Sequence, residues 1–240
     1  MVATKDKLIV AVDVPTAKEA SEIINLLSGV VGAFKIGLQL FTSAGSKFVK
    51  KLVEDNVKIF LDVKYHDIPV TVANAAVEAT RLGVWMFNIH ASGGSEMIRR
   101  TVGEVTNICE AERIQKPKII GVTVLTSSNR QTLLETGING DVQSQVLKLA
   151  LLSAEHGLDG VVASPNETAL IKSRISKGNF VVVTPGVRMS DVKDDDQKRI
   201  QTPVDAIKNG SDFIVVGRPI LHAPDPLSAA ISIIESIEIL

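Results

Sequence analysis

Short apolar runs rich in β-branched residues alternate with amphipathic segments along nearly the whole chain. Apolar runs without polar interruption are typical of parallel strands that are buried on both faces, and the amphipathic segments are typical of surface helices. The pattern predicts eight strands, at residues 8–12, 33–37, 57–62, 84–90, 119–125, 159–163, 180–184 and 213–216. It predicts helices at residues 17–27, about 42–55, 69–82, 94–113, 131–136, 142–156 and from about 226 onward.

Eight strand–helix units allow either a closed (β/α)8 barrel or an open, doubly wound sheet. In an open sheet the functional residues gather at one switch point, whereas a barrel collects them at the carboxyl ends of all its strands. Nearly every predicted strand ends on a polar residue or glycine: Asp13, Lys35, Gly37, Asp62, Lys64, His90, Thr126, Ser164, Gly186, Gly217 and Arg218. The sequence therefore predicts a (β/α)8 TIM barrel, and because no linker or repeat divides it, a single domain over residues 1–240.

Composition and charge narrow the possible partners. The chain has 240 residues, 45 % of them hydrophobic, and a formal net charge of −1, so nothing indicates a nucleic acid or an anionic membrane as partner. It contains no apolar run as long as a membrane span and no signal peptide, which predicts a soluble, cytoplasmic protein. The one cysteine, Cys109, excludes an internal disulfide and a cysteine-based metal cage.

The densest charge in the chain follows the third predicted strand. Asp62 and Lys64 are two residues apart, so on a regular strand they point to the same face. Buried charges require partners or a function, and the pair fits a structural ion pair at the barrel rim as well as it fits an active site. Lys35 ends the neighbouring strand and is expected to approach Asp62. With Asp67, these residues would form an alternating network that keeps both lysines protonated and suits an ammonium acting as general acid.

A second group of residues favours an anion site. Pro185-Gly186-Val187-Arg188 and Gly217-Arg218-Pro219 follow strands seven and eight, where barrels often bind phosphate. Glycine lets backbone N–H groups approach an anion, and arginine offers a planar fork to phosphate oxygens. The polar segment 187–202 is either a solvated surface loop or, beside such a site, a lid.

Other chemistries have little support. The chain has no Walker loop, no Gly-x-Gly-x-x-Gly and no His-Glu-x-x-His. Ser127 and Ser128 lack the context of a nucleophile elbow. His90 either lines the site or contacts the residues that line it without reaching the ligand. His66 has no expected catalytic role.

Taken together, these residues resemble a known family. Asp62-x-Lys64-x-x-Asp67-Ile68-Pro69 is similar to the signature of the orotidine 5'-phosphate decarboxylase family. The likeness covers nearly the whole chain, through matching segments at residues 12–13, 34–37, 60–62, 122–127, 184–188, 196–197 and 215–218. It implies decarboxylation of orotidine 5'-phosphate to UMP, a step of de novo pyrimidine biosynthesis, with no metal and no cofactor.

The resemblance also implies residue roles. Lys64 would protonate C6 of the pyrimidine after carbon dioxide leaves, and Asp62 would lie near the departing carboxylate, with Lys35 and Asp67 completing the catalytic network. Asp67 would act in the site of the opposite subunit, which implies a homodimer. The implied substrate-binding residues are Asp13, Lys35, Asp62, Asp67, Ile68, Thr71, Thr126, Arg188, Gln197, Gly217 and Arg218. Of these, Asp13 and Lys35 would contact the ribose, as would Thr71 from the second subunit. Thr126 would contact the pyrimidine, and the last four would hold the 5'-phosphate.

Two alternatives remain open. A metal-dependent sugar-phosphate decarboxylase or aldolase of the same barrel group would share Asp62-x-Lys64, but such relatives carry a carboxylate for magnesium where Lys35 stands. A barrel that binds nucleotide or phosphate without catalysis would be expected to lack one of the four charged residues, and none is missing.

Overall fold

Eight parallel strands close into a barrel in the computed structural model, which describes residues 3–187 and 201–239. Each strand pairs with its neighbours in chain order, and β1 closes the sheet by pairing with β8. The strands are β1 (Leu8–Ala11), β2 (Ala33–Gly37), β3 (Ile59–Tyr65), β4 (Met86–His90), β5 (Lys118–Val122), β6 (Gly160–Val162), β7 (Val181–Thr184) and β8 (Phe213–Val216). The predicted (β/α)8 barrel is confirmed.

Helices follow the strands and cover the outside of the barrel. They are α1 (Ala17–Leu27), α2 (Leu38–Glu54), α3 (Pro69–Arg81), α4 (Gly94–Glu112), α5 (Arg130–Glu135), α6 (Val142–Glu155), α7 (Pro165–Arg174), α8 (Pro203–Lys208), α9 (Arg218–Leu221) and α10 (Pro226–Glu238). Short 3-10 helices lie at Thr4–Lys7 and Ala91–Gly93. In the described part of the chain, no helix combines the length and the hydropathy needed to cross a bilayer.

Two apolar layers hold the barrel together. The larger cluster lies between strands and helices, and includes Leu8, Ile59 and Phe87, all fully buried. A smaller cluster fills the barrel itself with alternate strand residues such as Ile9, Phe60 and Met86. Because successive residues of a strand face opposite sides, each strand contributes to both layers. This interior cluster leaves room for a cavity at the end of the barrel at which the strands finish.

Helices α7 and α8 were not delimited by the apolar pattern. The buried face of α7 includes Glu167 and Thr168, so the helical spacing of apolar residues that marks the other helices is weak there. Both helices instead carry a capping signal. Ser164 and Thr202 each accept a backbone N–H through the side chain, and a proline follows as the first helical residue.

The structure corrects the ends of two strands near the predicted site. β3 continues to Tyr65 instead of ending at Asp62, and β5 ends at Val122 instead of residue 125. The hydroxyl of Thr123 donates to the carbonyl of Val162 at 2.8 Å, beyond the last residue of β5. The residues that follow leave the sheet and are free to line the barrel mouth.

Candidate active site

A cavity of about 470 Å³ opens at the carboxyl ends of the strands. Its floor is apolar and comes from the inner faces of the strands, including Ala11, Phe60 and Val215. Within the described residues, five charged side chains line it: Asp13, Lys35, Asp62, Lys64 and Arg218. An apolar floor with a few converging charges is the usual form of a small-molecule site.

Four of these charged groups form one chain of alternating sign. The Lys35 ammonium lies 3.0 Å from Asp13 Oδ1 and 3.2 Å from Asp62 Oδ2, so it bridges two carboxylates. The second oxygen of Asp62, Oδ1, lies 2.7 Å from the Lys64 ammonium. Side-chain exposure is 12 % for Lys35, 13 % for Asp62 and 27 % for Lys64, so Lys64 is the more accessible ammonium.

Strand register explains why these groups meet. β2 and β3 pair so that Gly37 lies opposite Asp62, two residues beyond Lys35. A methyl group at position 37 would lie 3.0 Å from Lys35 Nζ and 3.1 Å from Asp13 Oδ1. Glycine therefore leaves the space in which the Lys35–Asp13 ion pair forms.

The network holds both of its central groups in their charged forms. Burial by itself would raise the pKa of Asp62, but the charges of Lys35 and Lys64 outweigh it and the pKa is lowered. Burial would likewise lower the pKa of Lys35, yet Asp62 and Asp13 raise it above its ordinary value. At neutral pH the cavity thus presents fixed charges of both signs to a ligand.

The backbone at Lys64 is unusual for a strand. Lys64 has φ 52°, in the left-handed region that side chains other than glycine seldom adopt. The register between β3 and β4 breaks here: Leu61 pairs with Phe87 and Tyr65 with Ile89, so three residues of β3 face one residue of β4. Lys64 and Asp62 do meet, as the two-residue spacing predicts, but they do so on an irregular strand.

The residue of β4 opposite this irregularity is Asn88, which the sequence analysis did not single out. Its Oδ1 accepts the backbone N–H of Lys64 at 2.8 Å, and its Nδ2 donates to Asp62 Oδ1 at 2.6 Å. Asn88 is fully buried. A signal existed in the sequence, since Asn88 is the one amide inside the apolar run 84–89.

Several other predicted residues also line the cavity. Thr126 lies in its wall after β5, together with Ser127. Gly217 and Arg218 follow β8 and line it too, with Arg218 as the first residue of α9. Gly186, after β7, has φ 78° and completes this side. Predicted anion-binding residues from two strand ends therefore face one cavity.

Part of the predicted site falls outside the described residues. The residues outside the described part are Arg188, Gln197 and most of the predicted lid at 187–202. The described residues on either side, Val187 and Gln201, form an isolated parallel bridge. The two ends of this segment are therefore adjacent.

Asp67, Ile68 and Thr71 lie outside the cavity of their own chain. All three are exposed, and Asp67 Oδ1 accepts the backbone N–H of Ile68 at 2.6 Å. Across residues 3–187 and 201–239, no ion pair joins Asp67 to Lys64. Within one chain, the second carboxylate of the network is Asp13.

Histidines stand near the network and not in the cavity. The rings of His66 and His90 have centroids 5.3 Å apart, and neither residue belongs to the cavity wall. Burial, His66 and Lys64 lower the pKa of His90, which favours its neutral form. In the part of the chain that is described, no three His, Cys, Asp or Glu side chains are grouped as ligands for a metal ion.

Comparison with known proteins agrees with this geometry over nearly the full length. Residues 6–233 match the Orotidine 5'-phosphate decarboxylase / HUMPS family. The chain belongs to this family. The four-charge chain, the glycine and arginine after β8 and the threonine after β5 are thus the cavity residues of a family member.

Curated relatives and solved structures support the assignment. The orotidine 5'-phosphate decarboxylase of Geotalea uraniireducens is 48 % identical over 231 residues, which covers 96 % of this chain and 95 % of the relative. That of Syntrophotalea carbinolica is 48 % identical over 235 residues, covering 98 % and 96 %. The crystal structure of orotidine 5'-phosphate decarboxylase from Lactobacillus acidophilus superposes with a TM-score of 0.83 at 36 % identity, covering 96 % of this chain and 98 % of that one.

Proposed function

We propose that this protein decarboxylates orotidine 5'-phosphate to UMP and carbon dioxide, as a step of de novo pyrimidine biosynthesis. The observation that carries the proposal is the Lys64 ammonium held 2.7 Å from Asp62 in the wall of the cavity. Family membership and the names of the relatives support the substrate.

The chemistry needs a fixed cation near the reacting carbon. Loss of carbon dioxide from C6 leaves an electron pair in an sp² orbital, outside the π system of the ring. Lys64 stabilises this carbanion by its charge and then donates a proton to C6, so that the C–C bond breaks and a C–H bond replaces it. Asp62 fixes the Lys64 ammonium and lies beside the departing carboxylate, and no metal or cofactor takes part.

The proposed binding roles are those that the family resemblance implies, and Asp13, Lys35, Thr126, Gly217 and Arg218 support them by lining the cavity. Asp13 and Lys35 contact the ribose, and Thr126 contacts the pyrimidine. Gly217 and Arg218 bind the 5'-phosphate, joined by Arg188 and Gln197 from the segment after β7. In the predicted lid role, the segment 187–202, most of which lies outside the described residues, would exclude water and let remote binding energy raise the rate.

A second copy of the chain completes the site in this proposal. Asp67, Ile68 and Thr71 are exposed and lie outside the cavity of their own chain, although Asp67 is only three residues from Lys64. In a homodimer, Asp67 would reach the network of the neighbouring subunit and Thr71 the ribose bound there. We further propose that the chain acts as a single catalytic domain in the cytoplasm.

The alternative within the same barrel group is a metal-dependent sugar-phosphate decarboxylase or aldolase. Lys35 argues against this alternative. A divalent cation bound beside Asp62 would need an oxygen ligand from position 35, but the side chain there is an ammonium that lies 3.2 Å from Asp62 Oδ2. The donors around Asp62 are two ammonium groups and an amide, which suit a carboxylate and not a cation.

The decisive experiment follows the loss of absorbance of orotidine 5'-phosphate with the purified protein in excess chelator. The wild type is expected to turn over fully, and Lys64→Ala to lose at least about 10³-fold in kcat, since general-acid and electrostatic contributions are each worth roughly 10²-fold or more. Lys58→Ala is the matched control, because Lys58 precedes the same strand and lies over Trp85, away from the cavity.

Three results would contradict the proposal. A wild type inactive in chelator and rescued by magnesium would favour the metal-dependent alternative. A wild type inactive under both conditions would favour a non-catalytic barrel. Near-normal turnover by Lys64→Ala would refute the role of Lys64.

A further inference from the structure

We propose that Asn88 is the positioning residue of this active site, holding Lys64 and Asp62 in their reactive arrangement through the two ends of one side-chain amide. The inference rests on the proposed decarboxylation, because it assigns Asn88 a role in presenting the proton donor. Asn88 does not line the cavity, so it acts through the two residues it binds.

The backbone of β3 at Lys64 is irregular. Between Leu61 and Tyr65, β3 has three residues where β4 has one, so the regular ladder of backbone hydrogen bonds cannot continue. An extra residue in a strand leaves backbone groups without ladder partners. The N–H of Lys64 is such a group, and Asn88 Oδ1 accepts it at 2.8 Å.

The backbone conformation of Lys64 is energetically costly. A lysine at φ 52° is held in a sparsely populated region, and such residues persist only where the surroundings enforce them. The hydrogen bond from Lys64 to Asn88 is a direct restraint on that backbone, and it comes from a fully buried side chain. Without it, the chain at Lys64 is free to relax to an extended conformation and carry the ammonium away from its place.

Asn88 also binds the Asp62 carboxylate. Asp62 Oδ1 accepts both from Lys64 Nζ at 2.7 Å and from Asn88 Nδ2 at 2.6 Å, while Asp62 Oδ2 faces Lys35 at 3.2 Å. The Asn88 amide therefore fixes the plane of the carboxylate. It also contributes to the lowered pKa of Asp62, after the larger effects of Lys35 and Lys64.

Only a group with one donor and one acceptor in this geometry performs both tasks. An ionised carboxylate at position 88 accepts from Lys64 but repels Asp62. A protonated carboxyl has the same shape, one donor and one acceptor, and imitates the amide. Asn88→Asp therefore provides both cases in one variant, because pH decides whether the introduced carboxyl is protonated and imitates the amide or is ionised and repels Asp62.

The experiment measures kcat and KM of Asn88→Ala and Asn88→Asp across pH. For Asn88→Ala we expect kcat to fall about 10- to 100-fold, the usual effect of losing hydrogen bonds to a charged group, with KM changed less than about threefold. For Asn88→Asp we expect kcat near that of the wild type at about pH 5 and at least about tenfold below it at about pH 8. The titratable groups around the introduced carboxyl are Asp62 and Lys64 on β3 and Lys35 on β2, all charged members of the network, and His90 on β4, whose lowered pKa favours the neutral ring.

The control is a side chain that performs a similar backbone task away from the site. Asp159 Oδ2 accepts the N–H of Ile119 at 2.8 Å, and Asp159 does not line the cavity. Asp159→Ala is expected to lower the unfolding midpoint and leave kcat and its pH profile unchanged. If Asn88→Ala does not fold, Asn88→Asp still tests the proposal, since the ratio of its kcat to that of the wild type is compared at two pH values.

Clear outcomes overturn the inference. Wild-type kcat in Asn88→Ala would do so, and so would a loss in Asn88→Asp that does not vary with pH. A crystal structure of Asn88→Ala gives a readout independent of activity: a negative φ at Lys64 supports the proposal, whereas unchanged φ with an unchanged Lys64–Asp62 distance refutes it. A wild type inactive on orotidine 5'-phosphate would refute the proposed function instead, and the crystallographic test would still stand.

Discussion

Lys35 Nζ lies 3.2 Å from Asp62 Oδ2 and 3.0 Å from Asp13 Oδ1, so a single ammonium separates two carboxylates at the mouth of the barrel. Removing it would leave Asp13 and Asp62 facing each other with Lys64 as the remaining counter-charge. Breaking a buried ion pair by removing one partner is strongly destabilising, since an uncompensated charge stays behind. The lysine is thus expected to stabilise the fold itself, apart from its proposed role in ligand binding.

Lys35→Met is therefore expected to lower the free energy of unfolding by about 2–4 kcal/mol, somewhat below the full effect for a buried pair because Lys64 still neutralises Asp62. Urea denaturation measures the change. Adding Asp13→Asn to Lys35→Met is expected to recover part of the loss, because it removes one of the two facing charges. The control is Lys172→Met, whose pair with Asp212 at 2.6 Å is about one-third exposed and away from the cavity; it is expected to cost at most about 1 kcal/mol. Equal losses for the two single variants would contradict the prediction.

The pKa directions predict how stability depends on pH. The pKa of Asp62 is lowered below its ordinary 3.8, so its contribution is complete above about pH 4 and is lost as pH falls through the still lower pKa of the folded state. The pKa of Lys35 is raised above 10.5, so its contribution is complete below that pH and is lost only as pH rises through the higher folded value. The network should therefore stabilise the fold evenly from about pH 4 to about pH 10.

Denaturation of the wild type and Asp62→Asn across pH checks the acidic limit. The difference between them should be constant near neutrality and shrink below about pH 4, where Asp62 of the unfolded wild type takes up a proton before Asp62 of the folded state does; the loss is complete once the folded carboxylate is protonated as well. A difference that stays constant to the lowest pH at which the protein folds would show that the Asp62 charge does not contribute.

Arg218→Ala tests the proposed phosphate site. The variant is expected to weaken binding of UMP by about 10- to 150-fold, in line with roughly 1.5–3 kcal/mol for a hydrogen bond to a charged group, and to leave binding of uridine nearly unchanged. Isothermal titration with both ligands measures the two effects. Arg174→Ala, an exposed arginine at the end of α7, is the control and should change neither. Equal losses for UMP and uridine would remove the phosphate role of Arg218.

Gly37→Ala tests the close packing around the ion pairs. The added methyl group would lie 3.0 Å from Lys35 Nζ and 3.1 Å from Asp13 Oδ1, so these groups must move apart. We expect kcat/KM to fall about tenfold or more, because small displacements of positioned groups cost much of their effect. Gly103→Ala is the control, since a methyl group there meets nothing within 4 Å and α4 should gain about 0.5–1 kcal/mol. Full activity in Gly37→Ala would show that the ion pair tolerates displacement.

Mixing inactive variants tests the proposed second subunit. In a heterodimer of Lys64→Ala with Asp67→Ala, one site would carry both defects and the other site neither. When subunits exchange at random, two of the four chain pairings give such a heterodimer, and one of its two sites is intact. Mixing is therefore expected to restore up to about one-quarter of wild-type activity. The control is Lys64→Ala mixed with Asp62→Asn, since these two residues lie 2.7 Å apart in one chain and every site would remain defective. No recovery in the first mixture, with subunit exchange shown by mass, would place Asp67 in the site of its own chain.

The sequence by itself determined the barrel and the five charged residues that line the described cavity. Apolar runs ending on polar residues predicted both the eight parallel strands and the side on which Asp13, Lys35 and Asp62 would meet, because the carboxyl ends of parallel strands share one edge. The spacing of Asp62 and Lys64 predicted their proximity. The apolar pattern does not predict helix α7, because the buried face of this helix includes the polar residues Glu167 and Thr168.

Only the tertiary structure decided how the charges are held. Three residues of β3 face one residue of β4, and this register gives Lys64 its left-handed backbone and its partner Asn88. The register between two strands that are separated by a helix cannot be predicted from the sequence of either strand alone. Asp13 becomes the second carboxylate of the network because Gly37 leaves room for it, while Asp67, close in sequence, faces outward. Local sequence sets which side chains reach the barrel mouth, whereas the pairing of neighbouring strands fixes which of them touch.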